Sequence, residues 1–310
     1  MDGWVRYAAC AGISAEMHGL RYAEWTVLMA TVASRAELEQ LLADDVPYGD
    51  LTTDALGLGA VAGTMVFTAR DRMVLALAED AAFIIELTGC DVELQSASGS
   101  VLDAGSPILI ARGPAPALLR SWKVAQTLIE IWSGVATDAR AMLDAARAVA
   151  PRIAVACTRK HVPGTKRFAV AAVKAAGAVM HRTGLSETIL VFPEHRAFLD
   201  GQPLAEVTDR LRRAAPEKRL VIEVTSIDAA IEAAAAGFDV IQAEKFTPAD
   251  IAALLARLSA MPSPRPVVAA AGGVHAGNVA AYAQAGADLV VTSAPYLARP
   301  RDVQVRIHPQ

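Results

Sequence analysis

Cysteine is scarce. The 310 residues hold three, at Cys10, Cys90 and Cys157, far apart and without the paired spacing of a metal site. That excludes a disulfide framework and a structural zinc site, and it suits a reducing, cytoplasmic setting. Long apolar runs are missing too. Although 54% of the residues are hydrophobic, no stretch approaches the ~20 residues of a membrane-spanning helix, so no membrane span is expected. Net positive charge is also lacking: 29 Lys and Arg against 33 Asp and Glu leave −4. That argues against a nucleic-acid or anionic-membrane binder, and any basic site must be a local concentration. The first thirty residues lack the basic start and clean apolar core of a signal peptide, because Glu16, Arg21 and Glu24 interrupt them. Residues 1–28 read as an extension, or as a start assigned upstream of Met29.

What is present falls into two styles. Ser34 and Glu37 are spaced as a capping box, and Leu38, Leu41 and Leu42 give the helix that follows one apolar face. Asp44 to Asp54 reads as a polar loop. The alternation from Gly63 to Leu77 predicts two strands paired around Asp71-Arg72, then a helix over Ala78–Gly89 and further short strands to Gly113. Ala115 to Val149 is helical, with Ser133-Gly134 expected to divide it in two. After Pro151 the rhythm changes: the apolar runs IAVAC, GAVM, ILVF, LVIEV, DVIQA, PVVAAA and DLVVTS alternate with helical segments. This predicts an α/β protein: a smaller α+β sandwich domain over 29–137 and an incomplete (β/α) barrel over 138–300. A last strand at about 302–308 would return to the N-terminal sheet.

In a barrel the strands' C-terminal ends share one face. IAVAC ends in Thr158-Arg159-Lys160 and GAVM in His181-Arg182, so four basic side chains converge on one rim and call for an anion. The last two strands run into Ala271-Gly272-Gly273 and Thr292-Ser293-Ala294, where barrels of this kind hold phosphate on backbone N–H groups. Glu223 and Glu244 end two further strands. They suit sugar hydroxyls, or Mg²⁺ held together with a diphosphate, or simple pairing with neighbouring lysines.

At these residues the chain resembles the quinolinate phosphoribosyltransferase family. The resemblance spans about Ala36 to Ile307 and rests on six strings: DxPxGDxTT at Asp45–Thr53, SGVAT at Ser133–Thr137, TRKHVPG at Thr158–Gly164, HRTGL at His181–Leu185, IEV at Ile222–Val224 and AAGGV at Ala270–Val274. It implies a sandwich domain joined to an incomplete barrel, working as a homodimer with shared active sites. The implied reaction joins a pyridine dicarboxylate to phosphoribosyl pyrophosphate with Mg²⁺, releasing pyrophosphate and carbon dioxide. By motif, Thr158, Arg159, Lys160, His181 and Arg182 would face acid substrate and pyrophosphate. Lys123 stands where a partner subunit supplies an arginine. Lys160, Glu223 and Glu244 fall at catalytic positions, with the two acids near ribose and metal.

The departures from the family pattern are local. Phe192 stands where a carboxylate-binding lysine is expected, Ser293 where a glycine is usual, and Ala271 replaces a serine. Losing one charge-assisted contact costs about 1.5–3 kcal/mol, roughly tenfold to a hundredfold in affinity. These changes, with WKVAQ and LVFPEH, resemble the ModD-like pyrophosphorylase branch, which is linked by name to molybdenum transport. A true quinolinate enzyme of NAD biosynthesis, and a non-catalytic phosphate- or oxyanion-binding protein on the same fold, are the alternatives.

Overall fold

A computed structural model describes residues 31–59, 61–261 and 264–310; the expectations for residues 1–28 and Cys10 lie outside them. Helix α1 (Arg35–Asp45) starts at Ser34, whose side chain accepts from the Glu37 N–H while Glu37 accepts from the Ser34 N–H, so two otherwise orphaned donors are satisfied. Leu38 is fully buried beneath it, with Leu41 and Leu42 packed alongside. The segment expected to be a loop contains a short helix, α2 (Leu51–Ala55), because Asp50 caps the N–H groups of Thr52 and Thr53.

Strand β1 (Ala62–Ala69) buries every second residue. It does not pair with the next strand, β2 (Met73–Val74), as its sequence suggested. From Met73 to Leu77 every side chain is buried, so the segment runs into the core rather than alternating across a sheet face. After helix α3 (Ala78–Glu86), strand β3 (Asp91–Leu94) and the two-residue β4 (Val101–Leu102), β2 pairs with β4. Strand β5 (Pro107–Pro114) pairs antiparallel with both β1 and β3.

One helix of 33 residues, α4 (Ala115–Arg147), follows without interruption. At 1.5 Å per residue it is about 50 Å long and forms the spine of the molecule. Ser133 and Gly134 do not break it. Both are fully or nearly enclosed, and the Ser133 hydroxyl accepts from the Ala76 N–H at 3.0 Å. Gly134 leaves room for the chain at Arg299-Pro300 to cross the helix in direct contact. Small residues here serve close packing, and propensity yields to it.

Beyond α4 come β6 (Ala154–Cys157), α5 (Lys166–Ala175), β7 (Val179–Met180), β8 (Ile189–Val191), the single turn α6 (Pro193–Arg196), α7 (Leu204–Ala214), β9 (Leu220–Val224), α8 (Ile227–Ala235), β10 (Val240–Glu244), α9 (Pro248–Ser259), β11 (Val267–Ala271), α10 (Val279–Gln284) and β12 (Leu289–Thr292). The strands form one parallel sheet in the order β7-β6-β12-β11-β10-β9-β8. β7 and β8 follow one another in sequence but sit at opposite edges. The curled sheet is therefore a barrel left open at one seam, which the 181–188 connection spans. Outward side chains such as Ile222, Ile241 and Val268 pack under the helices, while Val221, Val240, Ala269 and Val291 line the inside.

A 3₁₀ turn (Ala294–Leu297) carries the chain back over α4 to β13 (Val303–Pro309), which pairs antiparallel with β1. The crossing is tight enough to test. A Cβ on residue 134 would meet the Arg299 carbonyl and lie 3.2 Å from the Pro300 Cα. Gly134→Ala should therefore cost about 1–3 kcal/mol despite its better helix propensity, read as a lower denaturant midpoint; an unchanged midpoint would show that the crossing gives way freely.

Candidate active site

The seven strands all end on one face, around a cavity of about 830 Å³. That size suits a drug-sized or nucleotide-sized ligand. The structure brings together here every residue the sequence placed at the rim and leaves Lys123, expected to act from a partner subunit, outside it. Thr158, Arg159 and Lys160 follow β6, His181 and Arg182 follow β7, Glu223 and Glu244 end β9 and β10, and the loops after β11 and β12 complete the circle.

The basic side is unusual in its burial. Arg182 is only 7% exposed, with its guanidinium 5.6 Å from the centre of the Phe192 ring, so the open seam is bridged by a cation–π contact. His195 stacks on the same Phe192 ring at 5.9 Å, and its Nδ1 accepts from the Phe192 N–H. Among the described residues neither Arg159, Lys160 nor Arg182 makes an ion pair with a carboxylate. Burial and then the neighbouring Arg159 charge hold the Arg182 pKa below its ordinary value. Burial, and after it Arg182, likewise lowers that of His181. A buried, unpaired cation beside like charges is costly until an anion arrives.

The acid side is its complement. Glu223 accepts a 2.7 Å hydrogen bond from the Nε2 of Gln242, a residue the sequence reading did not single out. Partial burial raises the Glu223 pKa, the Gln242 bond opposes that shift, and the charge of Glu244 adds to it. Glu244 sits against Gly272: a Cβ there would lie 2.7 Å from the Glu244 Oε1 and from the Lys245 nitrogen, on a backbone with φ of 81°. Only glycine fits.

The loops after β11 and β12 present backbone. Gly272, Gly273 and Ser293 have N–H groups with no acceptor among the described residues. Asn278, also missed from sequence, shapes the first loop by accepting from the His275 N–H and donating to the Gly273 carbonyl. The Thr292 hydroxyl is already committed: it donates to the Val274 carbonyl at 2.7 Å and accepts from the Ala294 N–H at 3.0 Å. Thr292 and Ala294 therefore clamp the two loops together, and Ala271 lines the wall between them. Helix α10 has six residues, so the exposed N–H groups rather than a long helix dipole are what this loop offers.

Lys123 is the exception. It lies on the exposed face of α4, 4.2 Å from the Trp122 ring and 3.1 Å from the Gln126 Oε1. It borders a separate, largely apolar groove of about 580 Å³ between α4 and α5, lined by Leu128, Ile131, Trp132 and Phe168. Cys157, at the end of β6, is fully buried in the core outside the barrel with Ala169 and Val173, and burial pushes its thiol up to about 12, so it stays an inert thiol. The site thus offers cations, backbone donors and carboxylates in three sectors. It can bind and orient a polyanion that also carries hydroxyls.

Comparison with known proteins agrees with this arrangement. Family models of the quinolinate phosphoribosyl transferase N-terminal and C-terminal domains match residues 50–133 and 135–306. The chain is 48% identical over 249 residues to a protein of Rhodobacter capsulatus named "Putative pyrophosphorylase ModD", covering 80% of this chain and 95% of that one. A protein of the same name from Pasteurella multocida is 38% identical, covering 88% and 97%. Among solved structures, the nicotinate-nucleotide pyrophosphorylase of Francisella tularensis superposes with a TM-score of 0.81 at 20% identity, covering 88% and 95%, a likeness of fold.

The depressed imidazole gives a prediction with a definite sign. His181 folded has a lower pKa than the ~6.5 of an unfolded histidine. Its contribution to stability is therefore full above the unfolded value and is lost as pH falls through the folded one. NMR titration should place its midpoint below ~6.5 and move it upward when inorganic pyrophosphate binds; a midpoint at or above that value would contradict the burial described.

Proposed function

The chain belongs to the quinolinate phosphoribosyltransferase family, and from that premise we propose a ModD-type pyrophosphorylase that moves the phosphoribosyl group of phosphoribosyl pyrophosphate to an N-heterocyclic acid. The observation that carries this reading is the buried, unpaired Arg182 beside Arg159 and Lys160, facing two carboxylates across one cavity. Cations hold pyrophosphate and the acid group of the acceptor. The N–H groups of Gly272, Gly273 and Ser293 take the 5′-phosphate, and Glu223 and Glu244 take ribose hydroxyls. A ring nitrogen then attacks C1 of the ribose as the C1–O bond to pyrophosphate breaks. Since positive charge develops on the sugar, the carboxylates stabilise it and positioning supplies the rest. No side chain is assigned a proton transfer.

Glu223 and Glu244 also fit Mg²⁺ shared with the substrate. Beyond its partial burial, Glu223 has its pKa raised by the charge of Glu244 on the adjacent strand, a repulsion that a cation would relieve, and no cluster of three or more acidic, His or Cys side chains forms a cage among the described residues. Mg²⁺ characteristically completes its shell with phosphate oxygens and water. When bound it would neutralise charge on the departing pyrophosphate.

Phe192 favours this reading over a true quinolinate enzyme. It places an aromatic ring, not a cation, in the cavity wall, so an acceptor with two carboxylates would lack one partner. A homodimer would suit the position of Lys123, which lies outside this cavity beside the apolar groove, since a second copy's Lys123 could then complete the site. No helix of the described residues is long and apolar enough to cross a membrane, which suits a cytoplasmic enzyme; a link to molybdenum handling rests on the branch name alone.

The assay is pyrophosphate release from phosphoribosyl pyrophosphate and Mg²⁺ across a panel of N-heterocyclic acids. Wild type should turn over at least one monocarboxylate faster than quinolinate, and Arg182→Ala should lower kcat/KM by about a hundredfold or more. Ordinary turnover of quinolinate would return the carboxylating assignment. Binding without pyrophosphate release for any acid would make the protein a non-catalytic oxyanion binder. For the shared site, inactive Lys123→Ala and Arg182→Ala chains mixed and allowed to exchange should recover about a quarter of wild-type activity; no recovery would show that Lys123 does not act across subunits.

A further inference from the structure

Inside the barrel the side chains around Glu223 and below Glu244 are largely apolar, among them Ala156, Leu190, Val240, Ala269 and Val291. Gln242 interrupts them. Its side chain points inward from β10, is 5% exposed, and lies in register with Glu223 on the neighbouring strand. Its Nε2 donates to Glu223 at 2.7 Å, while its Oε1 is buried without a hydrogen-bond partner. The assignment of the two ends follows from chemistry, since an ionised carboxylate only accepts and so must face the amide nitrogen.

Packing alone does not call for this residue. A methionine has nearly the same volume and would leave no buried oxygen unsatisfied, and orphaned polar atoms of that kind are rare because they are costly. Where a chain keeps a side chain at the expense of its own stability, the gain lies in function. Here the one hydrogen bond the carboxamide makes among the described residues is to a carboxylate that, like Gln242 itself, lines the cavity.

We propose that Gln242 is a positioning residue: its N–H fixes the Glu223 carboxylate in the orientation that accepts a sugar hydroxyl. Without it, Glu223 would be free to rotate and to turn toward the cations across the cavity, of which Lys160 is close enough to influence it. The inference deepens the phosphoribosyl reading and rests on it.

The test measures binding of ribose 5-phosphate and of its 2-deoxy and 3-deoxy counterparts to the full chain, in wild type, Gln242→Met, Glu223→Gln and the double variant, alongside thermal unfolding. Wild type should prefer ribose 5-phosphate over at least one deoxy sugar by about threefold to tenfold. Gln242→Met should erase most of that preference while melting at the wild-type temperature or above. The double variant should be no worse than Glu223→Gln, because the two residues act as one unit. An unchanged hydroxyl preference in Gln242→Met, or additive losses in the double variant, would overturn the proposal and leave the phosphoribosyl reading standing. Absence of any ribose 5-phosphate binding by wild type would instead overturn the phosphoribosyl reading, and this one with it.

Discussion

The cavity depends on a single constraint: seven strands running parallel must all deliver their C-terminal ends to one side. Parallel pairing leaves no choice in this, since each return between consecutive paired strands passes through a helix on the outside. Residues more than a hundred apart in sequence, such as Thr158 and Thr292, are thereby neighbours, joined directly by the hydrogen bond from the Thr158 N–H to the Thr292 carbonyl. The sheet does not close. The segment between β7 and β8 has to cross the open seam, and Arg182 on that segment meets Phe192 at the far edge. The contact that stands in for the missing strand pairing is thus made by a cation of the cavity wall.

That arrangement explains how one surface holds both signs of charge. The cations belong to β6 and β7 at one edge of the sheet, the carboxylates to β9 and β10 toward the other, and the loops with free backbone N–H groups to β11 and β12 between them. A ligand with phosphate in its middle sector, diphosphate on one side and hydroxyls on the other fits this order. Gly272 shows how little slack exists, since Glu244 occupies the space a side chain would need. The site is set by backbone as much as by side chains.

Much of this could be read from the sequence because its signals are local. A strand followed by Arg-Lys, His-Arg or Gly-Gly carries its own direction, and Gly237 and Gly286, both with positive φ, end helices ahead of strands as their positions suggest. What was hidden depends on partners distant in sequence. Ser133-Gly134 resembles a helix break because the chain it accommodates, Arg299-Pro300, lies far along the sequence. The Met73–Leu77 run has a strand's composition, yet its burial is decided by α4. Gln242 sits in an ordinary apolar strand, and only its register with Glu223 shows what it does. Lys123 is legible as a cation, but its own chain gives it no place in the cavity.

The central claim is that this cavity receives phosphoribosyl pyrophosphate in one orientation. A crystal structure of the full chain with phosphoribosyl pyrophosphate and Mg²⁺ tests it most directly. The account predicts the 5′-phosphate on Gly272, Gly273 and Ser293, the ribose against Glu223 and Glu244, and the diphosphate toward Arg159, Lys160 and Arg182. Density in the groove beside Trp132 and Phe168, or a ligand reversed so that its diphosphate lies on the glycine loops, would contradict it.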